Sequence, residues 1–317
     1  MRPGTFALSL LAAPINIEVL GALQEEPRSL NELRRVAGTP PPSTMRKQLR
    51  VLTDVGAVER HQQPGFAGTA SFEIGSAGAE LLELAGLLED WLEACPEGPL
   101  ALGSPAAKGA LKALIEGWNS RIVRALVARP LCLTDLNQLI SALNYPSLER
   151  RLSALRFSGL VEACPQGGRS TPYGPSPWLR KAAGLLITAA QWEGRYATAR
   201  IAGERFDFEA GFLLALPAVS MASDADGTCR LAVELRSASG DPMWARVQAE
   251  VMAGEVQSWT ANADGEADAS ISGKPTAWLS ALTEGRPEHL DFSGDRQLAV
   301  EVVDGLYRNL FRVRQPA

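Results

Sequence analysis

The feature that most constrains this chain is an internal repeat. Sliding residues 16–59 by 103 positions brings eleven identical pairs into register: Asn16/Asn119, Ala22/Ala125, Leu23/Leu126, Pro27/Pro130, Leu30/Leu133, Leu33/Leu136, Leu49/Leu152, Leu52/Leu155, Gly56/Gly159, Val58/Val161 and Glu59/Glu162. Other pairs agree in kind, such as Met45/Leu148, Lys47/Arg150 and Glu32/Asp135. Past a gap of two residues the offset becomes 101 and pairs Phe72 with Tyr173 and Trp91 with Trp192. Apolar positions that stay in phase over about 80 residues mark a duplicated unit. A chain of 317 residues exceeds one ordinary domain. The repeat divides it into residues 1–100, residues 101–203 and an unrepeated remainder at 204–317.

Each copy spells helix, helix, helix, two short strands, long helix. In the first copy Leu10, Ile17, Leu20 and Leu23 have helical spacing. Ser29-Leu30-Asn31-Glu32 is a capping box that opens a second helix running to about residue 36. Pro40, Pro41 and Pro42 make a turn. A third helix is predicted over 43–55, with Met45, Leu49 and Leu52 on its buried face and Gly56 as its stop. Strands at 57–61 and 70–74 flank a Pro64/Gly65/Gly68 loop, and residues 76–94 return to helix. The second copy predicts helices near 108–128, 134–142 and 146–158, a stop at Gly159, a strand at 160–164, a tip at Gly167/Gly168 and a long helix at 176–201.

Two helices joined by a short turn and followed by a hairpin make a winged helix-turn-helix. Residues 28–35 (RSLNELRR) and 49–60 (LRVLTDVGAVER) resemble the HxlR-type winged-helix regulators, whose pattern is roughly R-F-N-E-L-R-R … R-L-x-x-L-x-x-x-G-L-V-x-R. The resemblance covers residues 10–95 and, more weakly, 108–195, where Leu152, Leu155, Gly159, Leu160 and Val161 are kept but the basic residues after the first capped turn are lost. Members of that family are usually single-copy proteins that dimerise to set two recognition helices in successive major grooves. The resemblance implies that two fused copies form such a pseudo-dimer within one chain, with double-stranded DNA as partner.

Charge says where DNA would sit. The net charge of −5 argues against a nonspecific nucleic-acid coat. Residues 1–100 carry 8 basic and 13 acidic groups, 101–200 carry 13 and 5, and 201–317 carry 10 and 18, so the middle third is the electrostatic candidate for a phosphate backbone. Locally the reading differs. On the third helix of the first copy, the face opposite the apolar stripe carries Ser43, Arg46, Lys47 and Arg50, as a recognition helix does. The equivalent face of the second copy holds Glu149, Arg150 and Ser153, with Arg151 and Arg156 on its flanks. Arg60 and His61 on the first wing and Arg169 on the second are placed to reach phosphates or the minor groove. Most basic helix faces are merely solvated; the helix-turn-helix setting favours contact in the first copy. The two indicators disagree on which copy dominates.

The last third changes character. Residues 202–215 carry Phe206, Phe208, Phe212 and Leu213. Strands follow at 230–235, 245–251 and 255–261, separated by turns at Asp226-Gly227, Gly240-Asp241 and Asp264-Gly265. A short helix at 274–284 begins with Pro275, a further strand is predicted at 298–303 and a last helix at 305–311. Residues 267–273 (ADASISG), 278–285 (WLSALTEG), 292–295 (FSGD) and 306–311 resemble the sterol-carrier-type lipid-binding fold, with its pattern A-D-A-x-I … L-x-x-L-x-x-G … G-D, over residues 228–312. That resemblance implies a curved sheet covered by helices and an apolar tunnel, with Trp244, Trp259, Trp278 and Leu282 as tunnel candidates. For any one of them, a plain core position is the simpler reading. The fold class expected for the whole chain is α+β: two winged helices and a sterol-carrier-like domain.

Little in the sequence points to catalysis. GxGxxG, GxxxxGK[ST] and GxSxG do not occur. His61 and His289 lie 228 residues apart, and Cys95, Cys132, Cys164 and Cys229 form no CxxC pair. No metal, cofactor or catalytic residue is therefore expected, and alternation turns Asp264, Glu266 and Asp268 to solvent. The longest uncharged apolar stretch, 210–223, is 14 residues long and contains Pro217, too short for a bilayer. Residues 6–13, apolar behind Arg2 alone, make a poor signal peptide, so the chain is expected to start at Met1 in the cytoplasm. The expected function is a transcriptional regulator, monomeric or homodimeric, controlled by an apolar small molecule. The alternative is a small-molecule sequestering protein that has lost DNA binding, with a pocket near Trp91 and Trp192 or near Trp118. An enzyme on this scaffold is the least favoured reading.

Overall fold

The computed structural model describes residues 1–62, 70–164, 170–198, 205–236, 239–261 and 265–310. The first copy comprises α1 (Phe6–Leu11), α2 (Pro14–Glu25), β1 (Arg28–Ser29), α3 (Leu30–Val36), α4 (Pro42–Asp54), β2 (Val58–Gln62), β3 (Ala70–Ile74) and α5 (Ser76–Glu93). The second comprises α6 (Pro105–Asn119), α7 (Ile122–Ala128), α8 (Leu133–Leu139), α9 (Tyr145–Phe157), β4 (Val161–Ala163), β5 (Tyr173–Pro175) and α10 (Pro177–Tyr196). Local chemistry repeats with different residues. At α3 the Glu32 carboxylate accepts from the Ser29 N–H at 2.7 Å; at α8 the Asp135 carboxylate accepts from the Cys132 N–H at 3.0 Å. These bonds hold both carboxyls below the usual range, led by the Ser29 backbone bond at Glu32 and the Cys132 side-chain bond at Asp135. Gly56 and Gly159, after α4 and α9, share a φ of +70°, the left-handed geometry that ends a helix without cost only at glycine. The first wing is a three-stranded sheet in the order β1-β3-β2. In the second, β4 pairs with β5, and an isolated bridge from Leu131 to Tyr173 stands in for β1.

Two expectations are corrected. The first helix of each copy is broken in two, by Pro14 in the first and at Arg121 in the second, where φ is +65°. The strand predicted at 298–303 is part of α13 (Arg296–Leu310), which also absorbs the last predicted helix. Leu298, Ala299, Val302, Val303 and Leu306 are its buried stripe, a 3.6-residue period that a short β-branched run conceals.

The rest of the chain is α11 (Phe208–Ala215), β6 (Gly227–Arg236), β7 (Pro242–Met252), β8 (Glu255–Ala261), β9 (Ala269–Gly273), α12 (Pro275–Glu284) and β10 (Asp291–Gly294), ending in α13. The sheet runs β10-β9-β6-β7-β8, antiparallel except for β6 beside β9. Cys229, Leu231, Val233, Val247, Ala249, Val251, Ala269 and Ile271 alternate onto one buried face, against which α11, α12 and α13 pack. The other face is polar, with Arg230, Glu234, Gln248, Ser270 and Ser272 in register.

Helix α10 joins all three parts. It lies along α5, where Trp91 and Trp178 stack with ring centroids 4.5 Å apart. Each of these indoles donates to the other's backbone carbonyl, at 3.1 and 2.8 Å. The Trp192 indole donates to the Ala77 carbonyl at 2.8 Å. The 101-residue offset exchanges Trp91 with Trp192 and Ala77 with Trp178, so the bonds from Trp91 and Trp192 are one contact made twice, as across a two-fold axis. Helix α1 also packs on α10, where the buried Glu193 accepts from the Gly4 and Ala7 N–H groups at 2.8 and 2.9 Å. Burial raises the Glu193 carboxyl to about 7, against the pull of those backbone bonds. The apolar residues 6–11 thus form a helix built into the core. On its other side α10 meets α11, α12 and α13, and Gln191 and Arg195 both bind Glu284 of α12. Gly184 admits α13: a Cβ there would lie 2.6 Å from the Leu310 carbonyl oxygen.

Candidate nucleic-acid interface

Helix α4 has the predicted division of labour. Met45, Leu49 and Leu52 are buried, while Ser43, Arg46, Lys47 and Arg50 are exposed. The turn before it is held by the Arg34 side chain, which donates to the Pro40 carbonyl at 3.1 Å. The wing supplies the other wall. Arg60 on β2 stands opposite Phe72 on β3, and that face turns toward α4. Arg46, Arg50 and Arg60 therefore line one groove of about 590 Å³, whose rim includes Ser29 and Asn31 at the start of α3. Ser43 and Lys47 lie on the same helix outside the groove. Among the described residues, Asp54 at the end of α4 is the one acidic residue on its lining. His61 sits on the opposite face of the hairpin, 3.8 Å from Glu59 and 3.4 Å from Glu73, so it does not join the arginines.

The second copy differs. Leu148, Leu152 and Leu155 of α9 are buried as predicted, and Arg150 is exposed beside Glu149. Arg151 turns inward, with its Nε buried and without an acceptor. Arg156 lies over the Tyr173 ring at 4.7 Å. The structure therefore places Arg150, Arg151 and Arg156 in three different surroundings, and Arg169 lies outside the described residues. The aromatic residues Phe157 and Tyr145 of α9 are 88% and 47% exposed.

The four C-terminal candidates do not surround one cavity. Trp244 pairs with Glu234 on the polar face of the sheet. Trp259 lies on the helix-covered side, with the Arg180 guanidinium 5.5 Å from its ring centroid. Trp278 is fully buried, its indole donating to the Ala232 carbonyl at 2.9 Å and its ring against Phe212 at 4.8 Å. Leu282 is buried beside it on α12. Helix α11, which the sequence reading saw only as an aromatic run, brings Phe212 onto Trp278. Asp268 accepts from the Thr228 N–H and hydroxyl at 2.8 Å, bonds that hold its carboxyl below the usual range, so it ties β6 to the start of β9 rather than facing solvent alone. Among the described residues no three of His, Cys, Asp and Glu cluster as metal ligands would, and no helix is long and apolar enough to cross a membrane.

Sequence reasoning missed a second concavity. It lies between α7, the α8–α9 turn and the first two residues, and is lined by five arginines contributed from three separate stretches of chain.

Comparison with known proteins bears on part of this. A family model described as a helix-turn-helix domain matches residues 11–61, the stretch from α2 through β2. The chain carries a helix-turn-helix there, with the arginine groove between its third helix and the wing. No curated protein matches the chain. Among solved structures, part of the chain is similar to a crystal structure of sterol carrier protein 2, with 23% identity over 27% of this chain and 80% of that one, at a TM-score of 0.23. Part is also similar to the solution structure of a conserved hypothetical protein from Thermus thermophilus, described as possibly a sterol carrier protein, with 20% identity over 30% and 74% of the two chains and a TM-score of 0.24. Scores this low bear on neither ligand nor activity.

Proposed function

We propose that this protein is a DNA-binding transcriptional regulator in which the first winged helix makes the principal duplex contact. The observation that carries the reading is the convergence of Arg46, Arg50 and Arg60 on one groove of a matched helix-turn-helix. Helix α4 enters the major groove, Ser43, Arg46, Lys47 and Arg50 facing base edges and phosphates while Arg60 holds the flanking backbone. The two copies, taken as domains 1–100 and 101–203 of HxlR type, act as a pseudo-dimer. The matched indole bonds of Trp91 and Trp192 across α5 and α10 support that arrangement. Residues 204–317 serve as the sensing domain. An apolar molecule entering between its sheet and helices would press on α12 or α13, both packed on α10, and so shift one copy against the other. Equivalent major grooves recur about every 34 Å, so a small change in spacing abolishes simultaneous contact. The switch requires the ligand to bind one arrangement more tightly than the other.

The test is anisotropy of labelled duplex from the region upstream of the protein's own coding sequence, titrated at two salt concentrations. Tight, salt-sensitive binding that unlabelled specific duplex competes away, and that Arg46→Ala with Arg50→Ala weakens, is the expected result. The second reading is a sequestering protein on a winged-helix scaffold. It draws support from α9, whose outer face carries Glu149 and Ser153 where α4 carries Arg46 and Arg50, and which exposes Phe157 and Tyr145. Absence of salt-dependent affinity would select it, and native mass spectrometry would then look for a co-purified apolar molecule.

A further inference from the structure

We propose that the second copy binds an organic anion, a carboxylate, sulfonate or phosphate carried on an apolar body, in the arginine-lined groove between α7, the α8–α9 turn and the first two residues. The groove encloses about 820 Å³, the size of a small-molecule site. Its arginines are Arg2, Arg121, Arg124, Arg129 and Arg151. Two of them are answered by carboxylates. Asp207 lies 3.2 Å from both Arg2 and Arg124, and Glu209 lies 3.3 Å from Arg124. Arg121, Arg129 and Arg151 make no ion pair among the described residues, so the lining keeps an excess of positive charge.

Two further observations point to a ligand. Arg121 is held at φ +65°, a left-handed backbone that costs a residue with a Cβ and that tends to mark functional positions. Ile140 and Leu143 of the turn add an apolar wall beside the guanidinium groups. Planar guanidinium forks match the paired oxygens of a carboxylate, sulfonate or phosphate. The scaffold does not require this cluster. The 103-residue offset puts Glu18, Gly21, Glu26 and Gln48 of the first copy at the places of Arg121, Arg124, Arg129 and Arg151. A concavity of this volume with an apolar side suits a small molecule better than a duplex. Because the α8–α9 turn forms one side, occupancy bears on the placement of α9. The inference stands on the cavity and its charges, independently of the DNA-binding reading.

The test uses 8-anilinonaphthalene-1-sulfonate fluorescence with the full chain. One saturable site is expected, with affinity reduced about tenfold or more by Arg151→Gln and by Arg129→Gln, the loss of a charge-assisted bond. Lys112→Gln should leave it unchanged. Naphthalene-2-carboxylate should displace the probe, and its uncharged carboxamide should not. Arg129 is exposed, so Arg129→Gln keeps the test alive if Arg151→Gln fails to fold. Unchanged affinity in the folded arginine variants, or equal displacement by the carboxamide, overturns the proposal. So does weakened binding of labelled duplex in those variants with probe binding intact, which would make the cluster a phosphate-backbone contact.

Discussion

Superposed by their offset, the two third helices carry the same core and different surfaces. Met45, Leu49 and Leu52 become Leu148, Leu152 and Leu155, all buried. On the outer face Arg46, Lys47 and Arg50 become Glu149, Arg150 and Ser153, and Asp54 becomes Phe157. On the inner side Gln48 becomes Arg151. Packing ties the buried positions, because a core at crystal-like density tolerates few changes of volume. Solvated positions are free, and in the second copy the outer face keeps only Arg150, balanced by Glu149, while an excess of positive charge lines a concavity. The disagreement between local and global charge is thereby explained. Residues 101–200 are basic, but four of their arginines, Arg121, Arg124, Arg129 and Arg151, line the groove rather than the outer face of α9.

Substitutions can break or sharpen this comparison. The largest effects are expected where the copies meet. Trp91→Ala and Trp192→Ala should each cost about 3–5 kcal/mol in urea unfolding, as buried large-to-small changes do. Trp91→Phe and Trp192→Phe each remove one of the offset-equivalent indole bonds, and Trp91→Phe should cost the more because Trp91 also stacks on Trp178 where Trp192 meets Ala77. If either change costs no stability, the two-fold reading breaks.

Glu193 offers a contrast with no counterpart, since Leu92 holds the offset position. Its folded value of about 7 lies above the ordinary 4.5, so the folded chain holds a proton that the unfolded chain releases across that window. The stability this group contributes is full below about pH 4.5 and falls as the pH rises to about 7, by on the order of 3 kcal/mol. Thermal melts from pH 5 to pH 7.5 should show the decline. Glu193→Gln should lower the melting point throughout and remove that part of the slope. An unchanged slope would mean that Glu193 does not titrate as described.

On DNA, Arg46→Ala and Arg50→Ala should each weaken binding by about 1–3 kcal/mol and reduce the salt slope by about one for each lost phosphate contact. Arg150→Ala and Ser153→Ala in the second copy should change little. Equal losses from the two sets would contradict the assignment of the principal contact to α4. The smallest effect is a matched pair: Gly56→Ala and Gly159→Ala should each cost about 1–2 kcal/mol through the left-handed backbone alone. A Cβ at Gly56 meets nothing within 4 Å, and one at Gly159 only Trp178 at 3.9 Å.

Much of the helix-turn-helix was legible because its signals are local. The Ser29–Glu32 capping box, the spacing of Met45, Leu49 and Leu52, and the stop at Gly56 each act within a few residues, and α3 and α4 fall within a residue or two of prediction. The 298–303 stretch misled because four β-branched or small apolar residues in a short window carry no clear period. Longer context, with Leu306 and Leu310 in phase, reads as helix. The exposed basic face of α4 was legible for the same local reason. That Arg60 would close a groove with Arg46 and Arg50 depended on the register of β2 against β3, which brings Arg60 opposite Phe72.

By itself the sequence determined the α+β character and the inward and outward faces of α4, since these follow from periodicity and capping along one stretch of chain. Tertiary structure alone decided how the pieces use one another. Trp91 finds Trp178, Glu193 caps the residues around Gly4 and Ala7, and Arg2 joins Arg121 and Arg151 around one groove, all across separations of more than 80 residues. Contacts of that range are set by the packing of whole helices. No local rule encodes them, because their partners become neighbours only when the chain has folded.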